Sequence, residues 1–486
     1  MSAETIVEQP DISILCPDAL LNGYCQDARW GLAVVRATVL EAAHPQIGAA
    51  LIENSTFVAH PWRRIFNTLL SVQRVLDADP RVRDKEGARL NRMHARIAGV
   101  DPKGRPYNAM DPDARAWVVG SLFESTVNLN RMSGVSMSAD DMVRLYEEFR
   151  AFLVLLEGNA DHLPATVEEF WPYFDDVIER GLENTEAMRI ILFELFGRMP
   201  APPLLRGHPA LWAAGRGMAG PVITEFLKAT LPESVRQRAG LADVPGAHTL
   251  TRGVYMGTGV AARVLPQSWT RTDTVIGLLD PSLANGGSGP SLLSSLRRQQ
   301  RRAAALVRLL SPMSGDGASS SASGSAARSA ERFFAEVLDQ TGDGYVSWPD
   351  IAAMAREVAS RLDLDADGEE RLFDAFAGWW RELASTLDGD GDGRVSRAEY
   401  AAAASSAASP ALVRVAEVLF EATDADGDQT ISAVEHRALF RTAFSRDVET
   451  SGQDARYSRS EFVREFLAFM SGRQSSAGYD SLLAQA

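Results

Sequence analysis

The sequence predicts an all-α protein built in two parts, and three observations predict it. Long segments repeat their apolar residues at helical spacing, among them WGLAVVRATVLEAA, DARAWVVGSLFESTVNLN and ADDMVRLYEEFRAFLVLLEG. No alternating apolar and polar run of useful strand length accompanies them. Between residues 283 and 328 the chain passes through ANGGSGPSLLSS and SGDGASSSASGSAARS, a composition that cannot bury enough apolar surface to order itself. That stretch reads as a linker, and 486 residues exceed what one hydrophobic core usually organises.

Composition narrows the function. Hydrophobic content of 45% and charged content of 23% are ordinary for a globular protein, so sizeable cores are expected. The net charge of -15 argues against non-specific nucleic-acid binding. Cys16 and Cys25 are the only cysteines, too few for a disulfide framework or a cysteine zinc site. The opening MSAETIVEQPDISILCPD lacks a basic-then-apolar leader pattern, and no apolar run reaches the roughly 18 to 20 residues needed to span a bilayer. A cytoplasmic location without a membrane span is the expectation.

The first part carries short motifs in a fixed order. Ala43-His44-Pro45 comes first, followed by Pro61-Trp-Arg-Arg64-Ile-Phe-Asn-Thr68 and Met93-His94-Ala-Arg-Ile-Ala-Gly99. Pro106-Tyr107-Asn108-Ala109-Met-Asp111-Pro112, Trp117 and Leu163-Pro164-Ala165-Thr166 complete the series. Together they resemble the MpaB-type oxygenase family, which includes the rubber oxygenase (latex-clearing) catalytic domain, over residues 28–265. The resemblance implies a globin-like helical core that carries haem b and uses it with O₂ to oxidise hydrophobic, often isoprenoid, chains.

Mapped by motif, the resemblance makes His94 the proximal haem ligand. On its residues alone, a single histidine on an amphipathic helix is more often a hydrogen-bonded core residue, although haem iron accepts a neutral imidazole. Arg64 and Thr68 match the family's Arg-x-x-x-Thr pair and lie one helical turn apart, hence on one face. The resemblance gives them a haem propionate to bind or a distal pocket to line. Where the rubber oxygenase has a lysine just before that threonine, this chain has Asn67, which supplies no charged sixth ligand; rubber cleavage is not implied. Two readings stand for His44: a second ligand or proton donor facing the haem, and a capping or packing residue. Tyr107, Asn108 and Asp111 read as a buried turn. His60, His162, His208, His248 and His436 have no such context, and no nucleophile elbow, P-loop or dinucleotide fingerprint is present.

Inside the linker, residues 291–310 place Leu292, Leu296, Ala303, Val307 and Leu310 on one helical face, with Arg297, Arg298, Arg301 and Arg302 mostly elsewhere. Such a segment reads either as a calmodulin-target-like or membrane-surface helix that contacts the second part, or as the last helix of the first.

The second part, residues 329–473, repeats one pattern. A hard cation with about seven ligands needs oxygens at places 1, 3, 5, 7 and 9 of a loop and a carboxylate at place 12. Asp388, Asp390, Asp392, Arg394 (through its carbonyl), Ser396 and Glu399 meet every requirement. Asp339, Thr341, Asp343, Tyr345, Ser347 and Asp350 form a second copy, closed by the shorter aspartate. Asp424, Asp426, Asp428, Thr430, Ser432 and Glu435 form another, with Gln429 where glycine normally makes the turn. These are EF-hand loops, and calcium is the ligand they imply. A fourth copy, with Thr450 and Gly452 at places 1 and 3 before Asp454, Ser458 and Glu461, should be empty and serve as a structural partner. Place 8 is Val346, Val395, Ile431 and Tyr457, apolar as a short bridge between paired loops requires. Asp363, Asp365, Asp367 and Gly368 mimic the motif's start, but Glu370 would fall on place 8, so a helix cap is the better reading. The module resembles the calerythrin and sarcoplasmic calcium-binding group.

Two function classes follow. One is a haem-dependent oxygenase of a small lipophilic intracellular substrate and O₂, tuned by a fused calcium module. The other is a calcium sensor or buffer whose oxygenase-like part is not catalytic.

Overall fold

The computed structural model describes residues 9–202, 209–242, 245–266, 270–279, 331, 333–362, 364–403, 409–424, 426–436 and 456–470. The linker segment 291–310, His208 and the start of the fourth copy lie outside them. The chain forms two compact units, Met1–Ile52 with Pro61–Ser314, and Glu53–His60 with Gly315–Ala486. Both are all-α, as expected.

The first unit runs through α1 (Leu20–Gln26), α2 (Trp30–Ala42), α3 (Pro45–Asn54), α4 (Pro61–Val75) and α5 (Pro80–Ala95). A hairpin follows, β1 (Ala98–Val100) and β2 (Pro106–Asn108), antiparallel with Gly99 opposite Tyr107. Then come α6 (Pro112–Ser133), α7 (Ala139–Glu157) and α8 (Val167–Asp176). α9 (Glu186–Arg189) leads through a wide turn into α10 (Leu195–Arg198), and α11 (Pro209–Thr230), α12 (Glu233–Arg238), α13 (Ala247–Val264) and α14 (Thr272–Leu279) complete the unit.

Sequence explains the boundaries. Asp79 caps α5 by accepting from Arg81 N at 2.9 Å, and Asp111 caps α6 by accepting from Ala114 N at 2.9 Å, each with proline next in line. Ser138 and Thr166 cap α7 and α8, while Gly134 and Gly158 end α6 and α7 in the left-handed conformation.

Helix α6 is the central column. Trp117 and Phe123 are fully buried on it, and Phe123 meets Tyr146, Phe149 and Phe170 at ring separations of 4.9, 5.8 and 4.9 Å. α2 packs along α6, which explains why its sequence is apolar almost all round. Its one buried cation, Arg36, is neutralised by Glu124 and donates to Ser125 Oγ and Thr230 O, both at 2.8 Å. Burying a charge without such partners would cost several kcal/mol.

The second unit contains β3 (Tyr345–Val346), α15 (Trp348–Arg361), α16 (Ala366–Leu387), β4 (Val395–Ser396), α17 (Arg397–Ala403), α18 (Pro410–Thr423), β5 (Thr430–Ser432), β6 (Arg456–Ser458) and α19 (Arg459–Met470). The place-8 residues pair as the sequence requires, Val346 with Val395 and Ile431 with Tyr457. Asp365 caps α16 by accepting from Gly368 N at 2.8 Å, so the motif mimic is a cap; Asp363 is outside the described residues. Among the described residues, no helix is long and apolar enough to cross a membrane.

Candidate functional site

In the first unit the site begins with an exception on α2. Most of that helix is sealed, yet Val34, Val35, Thr38 and Glu41 keep surface open, and Val35 is 43% exposed. Val34 and Val35 lie four and three positions before Thr38, and Glu41 three after it, so they share one side of the helix. On α4 the open face is Arg64, Ile65 and Thr68, and Ile65 is 39% exposed. Arg64 Nη1 donates to Thr68 Oγ1 at 3.1 Å, and Thr68 Oγ1 donates back to Arg64 O at 2.9 Å. The pair read from the motif therefore stands on one face, as its spacing requires.

Glu41 and Arg64 interact electrostatically and tie the two faces together. Desolvation dominates both groups: it raises Glu41 to about 7, against the pull of Ser121 and Arg64, and lowers Arg64, against the pull of Glu41. Ser121 Oγ donates to Glu41 Oε1 at 3.3 Å. Glu41 was not among the residues singled out from sequence. The signal was there: it is the one acid in the run WGLAVVRATVLEAA, three residues before His44.

His44 sits at the corner between α2 and α3, with its N–H bonded to Glu41 O at 3.0 Å. Burial lowers its pKa, opposed by the charges of Asp111, Asp113 and Glu183. Its Nδ1 is buried and has no hydrogen-bond partner among the described residues, which leaves that nitrogen available to a ligand. His94 lies half-buried in the last turn of α5, which packs on α4. Across that packing Glu86 of α5 accepts from Ser71 of α4, and within α5 it accepts from Arg89 Nε at 2.9 Å. The structure thus joins Arg64 and Thr68 to the unforeseen Glu41, with His94 on the neighbouring helix and His44 at the end of α2.

The other motif residues are structural. Tyr107 is buried in the hairpin, and a Cβ on Gly99 would stand 2.5 Å from its Oη. Asn108 accepts from Met110 N at 2.8 Å, and Asp111 is the α6 cap. The motif glycine and tyrosine are thereby explained by contact with each other, in a hairpin the sequence reading took for a turn. His162 is bonded to Asp113 at 2.6 Å on the surface.

The family described as ER-bound oxygenase mpaB/B'/rubber oxygenase, catalytic domain, matches residues 23–265. The chain belongs to this family. Its match spans every first-unit residue of the candidate site. No curated protein matches the chain. Two solved structures resemble part of it. One is a Streptomyces coelicolor calcium-binding protein, from work on prokaryotic calcium-mediated regulation, at 20% identity over 31% of this chain and 99% of that one, TM-score 0.26. The other is the coelenterazine-binding protein of Renilla muelleri in its calcium-loaded apo form, at 21% identity over 32% of this chain and 92% of that one, TM-score 0.23.

In the second unit each loop is organised by its own carboxylates. Asp388 accepts from Gly391 N at 2.7 Å and Gly393 N at 2.9 Å; Asp390 accepts from Asp392 N, and Asp392 from Arg394 N. Glu399 closes the loop from Gly389 N, Ser396 N and Ser396 Oγ, each at 2.8 Å, which holds its carboxyl down at about 2. In the third copy Asp424 accepts from Asp428 N and Gln429 N, Asp428 from Thr430 N, and Glu435 from Ser432 N. Gln429 adopts φ 67°, the left-handed conformation that glycine holds in the other loops. Arg456 is ion-paired with Asp428.

Among the described residues, two groups bring three carboxylate oxygens within 4.8 Å of one another, Asp388 with Asp390 and Asp392, and Asp424 with Asp426 and Asp428. Such a cluster suits a divalent cation. The first copy has Thr341 in place of the middle carboxylate. There Asp350, fully buried, accepts from Thr341 N and Oγ1 at 2.8 and 2.9 Å and from Ser347 N and Oγ at 2.8 Å. The shorter aspartate closes its loop by gripping place 3 where Glu399 grips place 2. Asp339 is bonded by Gly342 and Gly344, and burial and the Asp350 charge raise it to about 6. Asp343 accepts from Tyr345 N at 2.9 Å.

Proposed function

We propose that the first unit is a haem b-dependent oxygenase acting with O₂ on a small lipophilic substrate, and that the second unit binds calcium and tunes it. The observation that carries this reading is the electrostatic pairing of Glu41 on α2 with Arg64 on α4. The exposed apolar residues on the same two helices are Val35 and Ile65. A flat, apolar macrocycle with two carboxylates fits that donor set: the apolar side chains would take the ring and the arginine a propionate. The orphaned Nδ1 of His44 fits a group that supplies the missing partner.

In this reading His94 is the proximal ligand, Arg64 holds a propionate with Thr68 fixing its rotamer, and His44 faces the site. When bound, haem supplies the activation of O₂. Glu41, raised to about 7, is half-ionised near neutral pH and takes or returns a proton on the substrate side. Calcium occupies the loops at Asp388 and Asp424, and more weakly that at Asp339.

Absorption spectroscopy on chain purified with haem supply tests the assignment. A Soret band that His94→Ala removes and His162→Ala leaves intact is expected. A band that survives His94→Ala overturns the ligand. No band in the unaltered chain favours the second reading, a calcium-responsive binding protein, for which the two carboxylate clusters are the support.

A further inference from the structure

Helix α13 presents an apolar face that nothing among the described residues covers. Its inner side, with Thr251, Tyr255 and Gly259 buried, packs on α6 and α11, and Tyr255 stacks on Phe226 at 5.2 Å. Its outer side carries Leu250, Val254, Val260 and Val264, with Val260 57% and Val264 77% exposed. At 100° per residue these four, with Gly253, Gly257 and Ala261 between them, fill an arc of about 120°. Apolar residues scattered singly on a surface need no explanation, whereas a continuous stripe over four turns does.

Charge selects the occupant. The chain's net charge is -15, yet α13 contains Arg252 and Arg263 and no aspartate or glutamate. Both arginines fall beside the apolar arc along one edge, next to Met256. At the N-terminal end of α13, Arg236 of α12 donates to His248 Nε2 at 2.7 Å. An apolar stripe edged by arginines is the arrangement of a helix lying in a lipid interface, where the apolar side enters the acyl boundary and the guanidinium groups reach headgroup phosphates. A second copy would bring arginines against arginines. Residues 291–310 would do the same, since SLLSSLRRQQRRAAALVRLL is itself basic and free of acid.

We infer that α13 is a peripheral docking surface for an anionic lipid bilayer. The helix lies on the membrane and does not span it. The acidic remainder of the chain is repelled, but that repulsion is screened beyond about 8 Å at physiological salt, while α13 is in contact. Docking would give the enzyme access to lipophilic substrate held in the bilayer. Only that benefit rests on the proposed activity; binding is read without turnover or haem.

The test is co-sedimentation of the full chain with vesicles of phosphatidylcholine and phosphatidylglycerol, against phosphatidylcholine alone. Binding is expected to the mixed vesicles, weaker at high salt. Val260→Asp with Val264→Asp should lower the vesicle affinity about tenfold or more, by removing apolar burial and adding repelled charge. Both positions are exposed, so the circular dichroism melt should stay unchanged. Arg252→Gln with Arg263→Gln should reduce the preference for the anionic vesicles. Absence of binding to mixed vesicles overturns the inference. So does binding unaffected by the α13 variants, including binding that disappears only when Arg297, Arg298, Arg301 and Arg302 are replaced by glutamine. A change of sedimenting mass in place of vesicle binding overturns it in favour of self-association.

Discussion

Glu41 of α2 and Arg64 of α4 interact electrostatically, with the acid pushed up to about 7 and the base pushed down. Each would be more perturbed without the other, because desolvation opposes both charges and only their mutual attraction offsets it. The pair therefore links two helices whose neighbouring side chains are apolar.

The first prediction follows from the sign of the Glu41 shift. Its folded pKa lies above its ordinary value of 4.5, so its contribution to stability is fully present below about 4.5 and is lost as pH rises through 7. Glu41→Gln should leave the stability of the haem-free chain little changed at pH 4.5. At pH 8 it should raise it by on the order of 2 kcal/mol, after allowing for partial exposure. Urea midpoints of the two proteins at both pH values measure this. A variant less stable than the parent at pH 8 would mean that the carboxylate's bond from Ser121 and its attraction to Arg64 outweigh its desolvation.

Gly99→Ala should destabilise the first unit. Its Cβ would meet Tyr107 Oη at 2.5 Å and Cζ at 2.7 Å, and a buried ring in a short hairpin has little room to yield. Overpacking of this kind costs about 1 to 3 kcal/mol. Tyr107→Phe in the same chain should recover only part, since the clash with Cζ remains. Thermal melts of the single and double variants decide it.

How much of this was legible in sequence differs between the units for a physical reason. An EF-hand loop is local: twelve consecutive residues hold all its ligands, so Asp388 to Glu399 and the bridging Val346 and Val395 could be named before any fold was known. The first-unit site is assembled from α2, α4 and α5, and helical periodicity places Arg64 and Thr68 on one face without saying what faces them. Glu41 becomes visible only when α2 is seen to be sealed elsewhere and open there. The Gly99–Tyr107 hairpin was missed because three-residue strands carry no readable alternation.

Gln429→Gly should strengthen the third copy. Gln429 holds φ 67°, and a side chain in that conformation costs roughly 1 kcal/mol relative to glycine. Its backbone N–H still donates to Asp424 at 3.0 Å, so the change relieves strain without removing a bond. Calcium affinity at this loop should rise about two- to fivefold, measured by calorimetry on the full chain. An unchanged affinity would show that the relief is equal in the free and the loaded loop, and the melting temperature without calcium would then rise instead.

The loops should also separate by affinity. The clusters at Asp388 and Asp424 bring three carboxylates together, and Glu399 is already ionised and oriented by Gly389 and Ser396. The first copy offers Thr341 at place 3, and its Asp350 is held by four donors that an incoming ion must share. The loop at Asp424 carries its own handicap, because Arg456 competes for Asp428. Calcium titration of the full chain should therefore resolve the Asp388 loop first, the Asp424 loop second and the Asp339 loop last. Glu399→Gln should remove the tightest phase, a loss of about tenfold or more in affinity at that site, because place 12 supplies the bidentate ligand. Arg456→Gln should tighten the second phase, and Asp350→Asn should touch only the weakest. If Asp350→Asn instead removes the tightest phase, the carboxylate clusters do not set the order, and the buried, pre-bonded loop at Asp339 is the primary site.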